Sequence, residues 1–79
     1  MLDVVQEIIH KEFDIDEDKI TAEANLRNDL HIDSMAAVNL SFEIEDRFNI
    51  KISDEELASL TTVADIVSLL ESKNVSAKS

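Results

Sequence analysis

Seventy-nine residues allow one small domain, close to the size at which a single apolar core is only just sufficient. Cysteine is absent, which excludes a disulfide or a thiolate metal site; glycine and proline are absent too, which favours helices and polar loops over tight hairpins. The net charge of −11, from 18 acidic and 7 basic residues, excludes nucleic acid and anionic membrane surfaces as partners and points to basic protein surfaces.

In chain order, the first helix carries Leu2, Val4, Val5, Ile8, Ile9 and Phe13 at spacings that share one face, with Asp3 and Gln6 as a weak capping pair. From Asp14 to Ile32 the periodicity gives way to polar residues punctuated by Ile15, Ile20, Leu26 and Leu30. A connection of that length in a small domain is either functional or packed by its own side chains. A second helix is predicted from Ser34 to Phe48. Ser53 begins a short third helix, with Glu56 completing a capping box and Leu57 and Leu60 facing inward. The fourth starts after Thr61 or Thr62 and carries Val63, Ile66, Val67, Leu69 and Leu70. Residues 1–74 are expected to form the domain, and Val75 to Ser79 a flexible tail. The fold class expected is all-α: an up-and-down bundle of three main helices plus one short one, with a long loop between the first two.

Hydrophobic residues make up 44% of the chain, enough for a core despite the charge. Solubility alone would need a net charge of only about 2–8 in so small a domain, so the excess fits a basic partner. No apolar run approaches about 18 residues and no basic segment precedes one, so a membrane-spanning or secretory reading fails. A cytoplasmic monomer, or a processed organellar protein, is expected.

The second helix has more apolar residues than one buried face can use. At about 100° per residue, Ala37, Leu40, Ile44 and Phe48 fall within roughly 80° of one another, while Met35, Val38 and Phe42 cluster nearly opposite. The first stripe is longer and is assigned to the core. The second is then partly exposed, a candidate docking patch, unless the long loop folds over it.

Between loop and second helix lies Asp29-Leu30-His31-Ile32-Asp33-Ser34-Met35. Asp33 and Ser34 are capping residue types, so Ser34 should sit at or just inside a helix N-terminus, where free N–H groups and the helix dipole favour a phosphate ester. The run Asp-Leu-x-x-Asp-Ser-Met resembles the attachment motif of acyl carrier proteins, and the resemblance extends over roughly Val4 to Leu70, including Thr61-Thr62-Val63. It implies that Ser34 carries a phosphopantetheine arm, placed there by a phosphopantetheinyl transferase that Asp33 helps to orient. Acyl groups then ride on the arm's thiol between acyl-loading and acyl-processing enzymes, in fatty acid or a specialised lipid or polyketide synthesis. The chain has no thiol of its own, which such a role needs.

By the same resemblance, the outer face of the second helix docks enzymes, which gives that role to Met35, Val38 and Phe42. The acidic Glu43, Glu45, Asp46, Asp54 and Glu55 just beyond that patch read equally as solvated faces or as a contact surface for a basic partner. An acyl chain would fold back among Leu40, Ile44, Phe48, Ile52, Leu57 and Leu60. Two departures stand out. The glycine usual three residues before the serine is His31, and the acidic residues usual two and five positions after it are Ala36 and Asn39. The second departure favours a dedicated carrier over one serving the general fatty-acid enzymes.

Other constellations are weaker. Asp14, Asp16 and Asp18 match the first ligands of a calcium-binding loop, but its glycine position is Lys19 and its bidentate glutamate position Asn25. His10 and His31 are too few for a metal site, and His31 near Ser34 lacks the nucleophile elbow of a hydrolase. Neither a catalytic residue nor a metal ligand is assigned. The competing reading is an unmodified acidic helical module that binds a basic partner.

Overall fold

Three of the four helices begin where a short polar side chain takes up an N–H group left open by the first turn. The computed structural model describes residues 2–73. Its helices are α1 (Leu2–Phe13), α2 (Ser34–Phe48), α3 (Asp54–Ser59) and α4 (Val63–Ser72), with one 3-10 turn at Glu17–Lys19 and no strand among the described residues. Asp33 caps α2, accepting from the Ala36 N–H at 2.8 Å. Ser53 and Glu56 form the capping box of α3, and Thr62 and Asp65 form a second one at α4. Asn49 closes α2 in the left-handed region, at φ 55°, where an asparagine stands in for glycine. The segment 75–79 lies outside the described residues.

The fold is the expected helical bundle. Helix α1 packs on both α4 and α2, and α3 sits against α2. Its core joins Val5, Ile8 and Ile9 of α1, Leu40 and Ile44 of α2, and Val63, Ile66 and Leu70 of α4. The long loop supplies Ile20, Ala24, Leu26, Leu30 and Ile32 to the same cluster, so it is packed by its own side chains. It is also tied to the start of α4: Leu26 N–H donates to the Thr61 carbonyl, Val63 N–H to Ala24, and Ala64 N–H to Ala22, at 2.9–3.1 Å. An isolated antiparallel bridge pairs Asn25 with Thr62.

One capping expectation is corrected. Asp3 does not stand at the N-cap of α1, which begins at Leu2, and Gln6 reaches away from it: its Nε2 donates across the fold to the Ile20 carbonyl at 2.6 Å. Asp3 already lies inside the helix, and Gln6 is spent on satisfying the buried turn of the loop.

Asp65 accepts from the backbone N–H groups of Thr61 at 2.9 Å and Thr62 at 3.0 Å. The Thr61 bond, then the Thr62 bond, holds its carboxyl below the ordinary 3.8. A carboxylate whose folded value is depressed contributes stability at neutral pH and loses it as pH falls through that value. Asp65→Ala should therefore cost about 1 kcal/mol at neutral pH, the size of a lost cap. The gap between variant and wild-type melts should narrow below pH 3.8. A gap of constant size would show that the charge of Asp65 is not what stabilises α4.

Basic side chains offset little of the acidity. Glu7 gathers Lys11 at 3.1 Å and Arg47 at 3.7 Å, and Glu56 holds Lys73 at 3.1 Å. With a net charge of −11 the remaining carboxylates repel one another. Salt should raise the melting temperature, and millimolar magnesium should raise it beyond its ionic strength. Melting curves that move with neither additive would show that repulsion does not limit stability.

Candidate functional site

The site is built by the turn that ends the long loop. Asn25 organises it: its Oδ1 accepts from the N–H groups of Arg27 at 3.0 Å and Asn28 at 2.8 Å. Asp29 answers by accepting from the Asn25 N–H at 2.7 Å, while its own N–H donates to the Asn25 carbonyl. Asp29 thus closes the turn, and Leu30 and Ile32 anchor it in the core. Between them His31 adopts φ 57°, the left-handed region that suits a glycine. A histidine pays about 1–2 kcal/mol there, borne by the buried neighbours on either side. The backbone then enters α2 through the Asp33 cap, with Ser34 as the first helical residue.

Ser34 is exposed, and its Oγ accepts a hydrogen bond of 3.1 Å from Arg27 Nη2. Sequence reading passed over Arg27. It lies seven residues from Ser34, and only the Asn25–Asp29 turn brings the two together.

A cavity of about 570 Å³ has Ser34, Asp33, Arg27 and Asn28 in its lining, together with apolar side chains from the surrounding helices and connections. Helix α2 contributes Ala37, Val38, Leu40 and Ile44; the α2–α3 connection contributes Ile52; α3 contributes Leu57; and Leu60 follows it. Helix α4 adds Ile66, Leu69 and Leu70, which the sequence had shown only as apolar positions of the fourth helix. Buried Ser41 also lines it, its hydroxyl donating to the Val38 carbonyl at 2.7 Å.

Five of the six residues expected to meet an acyl chain therefore surround one cavity. Phe48 is the exception: it is half-buried against the core and does not line the cavity. It lies on the last turn of α2, beyond the reach of the wall that Leu40 and Ile44 build.

The opposite stripe of α2 is open: Met35 is 79% exposed, Phe42 60% and Val38 39%. The loop does not cover it. Glu43, Asp46, Asp54 and Glu55 are exposed as well. Glu45, expected among them, is partly withdrawn, because its Oε2 accepts from the Ile52 N–H at 2.8 Å and clamps the α2–α3 connection. The Asp14–Asp18 segment forms the 3-10 turn, and no group of three or more His, Asp or Glu side chains among the described residues could hold a metal ion. No helix among them is long and apolar enough to cross a membrane.

A family model described as "Phosphopantetheine attachment site" matches residues 3–70, nearly the whole chain. An acyl carrier protein of Thermotoga maritima is 41% identical over 69 residues, 87% of this chain and 85% of the relative. The chain belongs to the acyl carrier protein family. Solved structures agree with this membership. The acyl carrier protein of Enterococcus faecalis matches with a TM-score of 0.74 at 37% identity, covering 90% of each chain. A Mycobacterium tuberculosis chain matches with a TM-score of 0.84 at 29% identity, covering 91% of this chain and 96% of that one. The role is thus that of an acyl carrier with a phosphopantetheine prosthetic group. Proteins of this family carry groups rather than transform them, and they work with phosphopantetheinyl transferases and acyl-processing enzymes.

Proposed function

We propose that Ser34 is the attachment residue and that the chain carries acyl thioesters between enzymes with basic docking surfaces. The observation that supports this most directly is the exposed Ser34 hydroxyl at the first position of a capped helix, in the wall of an apolar cavity. The residues fit the group. The first turn of α2 holds no acidic side chain, and Asp33 is engaged by the Ala36 N–H, so a phosphodiester on Ser34 meets the positive end of the helix. When attached, the group supplies the terminal thiol on which thioesters form.

The chain's own residues position and shield that cargo. Leu40, Ile44, Ile52, Leu57 and Leu60 line a space that keeps water from an acyl chain, each methylene buried there contributing about 0.8 kcal/mol before opening costs. Met35, Val38 and Phe42 offer an apolar contact to partner enzymes, and Glu43, Asp46, Asp54 and Glu55 steer basic surfaces towards it. Glu45 serves that field only through its charge, since its carboxylate is committed to Ile52. Asp33 shapes the serine's position for the transferase. The carrier works as a cytoplasmic monomer, and the neutral Ala36 and Asn39 fit service to a dedicated pathway.

Intact mass after incubation with coenzyme A, magnesium and a broad-specificity phosphopantetheinyl transferase tests the reading. A single phosphopantetheine addition is expected. An unchanged mass with a transferase active on a control carrier would favour an unmodified acidic interaction module instead.

A further inference from the structure

Arg27 is the cation that the loop brings to Ser34. Its Nη2 donates to Ser34 Oγ at 3.1 Å. Among the described residues it has no carboxylate partner, whereas Lys11 and Arg47 are drawn to Glu7 and Lys73 to Glu56. Its backbone is fixed independently of Ser34, through the bond from its N–H to Asn25 Oδ1 in the turn that Asp29 closes. Lys19 and Lys51 likewise have no carboxylate partner among the described residues; what sets Arg27 apart is that its guanidinium charge is directed at one hydroxyl, that of Ser34.

A guanidinium keeps its proton in proteins and cannot activate Ser34 as a base. It offers a rigid fork of N–H donors suited to phosphate oxygens. A neutral hydroxyl uses one of those donors. A phosphodiester on the same oxygen sets two non-bridging oxygens one bond further out, within reach of the others with no change of backbone. We propose that Arg27 binds the phosphodiester of the prosthetic group and sets the direction in which the arm leaves Ser34. This inference rests on the reading of Ser34 as the attachment residue. Arg27 and Ser34 both line the cavity, so the contact biases the arm along that wall. It also offsets the negative charge that the arm adds beside Asp33.

The test uses the full chain before and after loading, as wild type, Arg27→Ala and Arg27→Lys, with circular-dichroism melts confirming that each is folded. In wild type, loading should move the ¹H–¹⁵N signal of the Arg27 Nε–H, and added salt should reverse the movement. In Arg27→Ala the ³¹P line of the diester should narrow and shift towards that of the loaded chain in denaturant. The held fraction should fall by about two- to fivefold, the strength of an exposed charge pair. Arg27→Lys should retain part of it, since charge survives without the fork.

A wild-type chain that takes no arm overturns the Ser34 reading and this inference together. A loaded wild type with an unmoved Arg27 signal, and the same ³¹P line in Arg27→Ala, overturns the role of Arg27 alone. Should Arg27→Ala resist loading, the wild-type Nε–H signal decides the matter by itself.

Discussion

Ser34→Ala should remain folded and gain no mass at all under conditions that fully load the wild type. Its effect on stability is expected within about 0.5 kcal/mol, because the side chain is exposed and the cap of α2 belongs to Asp33. The loss should be complete because the other serines among the described residues are poorly placed to substitute. Ser41 is buried, and its hydroxyl donates to Val38. Ser53 is occupied as the acceptor of its capping box, while Ser59 and Ser72 donate back to carbonyls of their own helices at 2.7 Å. Ser68 is exposed as well but lies midway along α4; Ser34 differs from these serines in being the exposed first residue of a capped helix, its oxygen accepting from Arg27. Mass spectrometry of the variant, with a wild-type control in the same reaction, gives the answer. Residual loading would mean a second acceptor, which peptide mapping would locate.

Much of this arrangement was legible in the sequence because it depends on local chemistry. Asp33, Ser53 and Thr62 are capping types followed by apolar periodicity, and the helices they predict begin where those side chains meet their N–H partners. The two stripes of α2 follow from helical geometry alone, so the exposure of Met35 and Phe42 was readable. So was the demand on His31, whose family counterpart is glycine because the backbone there has positive φ.

What escaped depends on contacts remote in sequence. Nothing local to Gln6 marks the Ile20 carbonyl as its partner, and nothing local to Glu45 marks the Ile52 N–H. Arg27 read as one more polar loop residue until the Asn25–Asp29 turn folded it back. The place of Leu69 and Leu70 in the cavity wall required knowing how α4 lies beside α2 and α3, which periodicity does not encode. Phe48 lies outside the cavity lining for a related reason: the angular position of a stripe does not say how far along the helix the cavity extends.

The two faces of α2 should separate cleanly under truncation. Ile44 is 1% exposed and belongs both to the core and to the cavity wall. Ile44→Ala removes apolar atoms that the neighbours cannot fully replace, costing about 2–5 kcal/mol. A domain of this size holds on the order of 5–10 kcal/mol in total, so the variant should be partly unfolded at physiological temperature. Phe42, two residues earlier and 60% exposed, should behave in the opposite way. Phe42→Ala should melt within about 0.5 kcal/mol of wild type, because the ring loses little burial. Its cost should fall on partner reactions instead: an aromatic anchor removed from a docking contact is worth about 1–2 kcal/mol or more, roughly a tenfold loss in kcat/KM for acyl loading. Urea titrations followed by circular dichroism, run beside loading kinetics, measure both quantities on the same samples. If Phe42→Ala melts as early as Ile44→Ala, the outer stripe is part of the core after all. If it is stable and loads at the wild-type rate, partners approach by the acidic face around Asp54 and Glu55, and truncating those carboxylates should then slow association in a salt-dependent way.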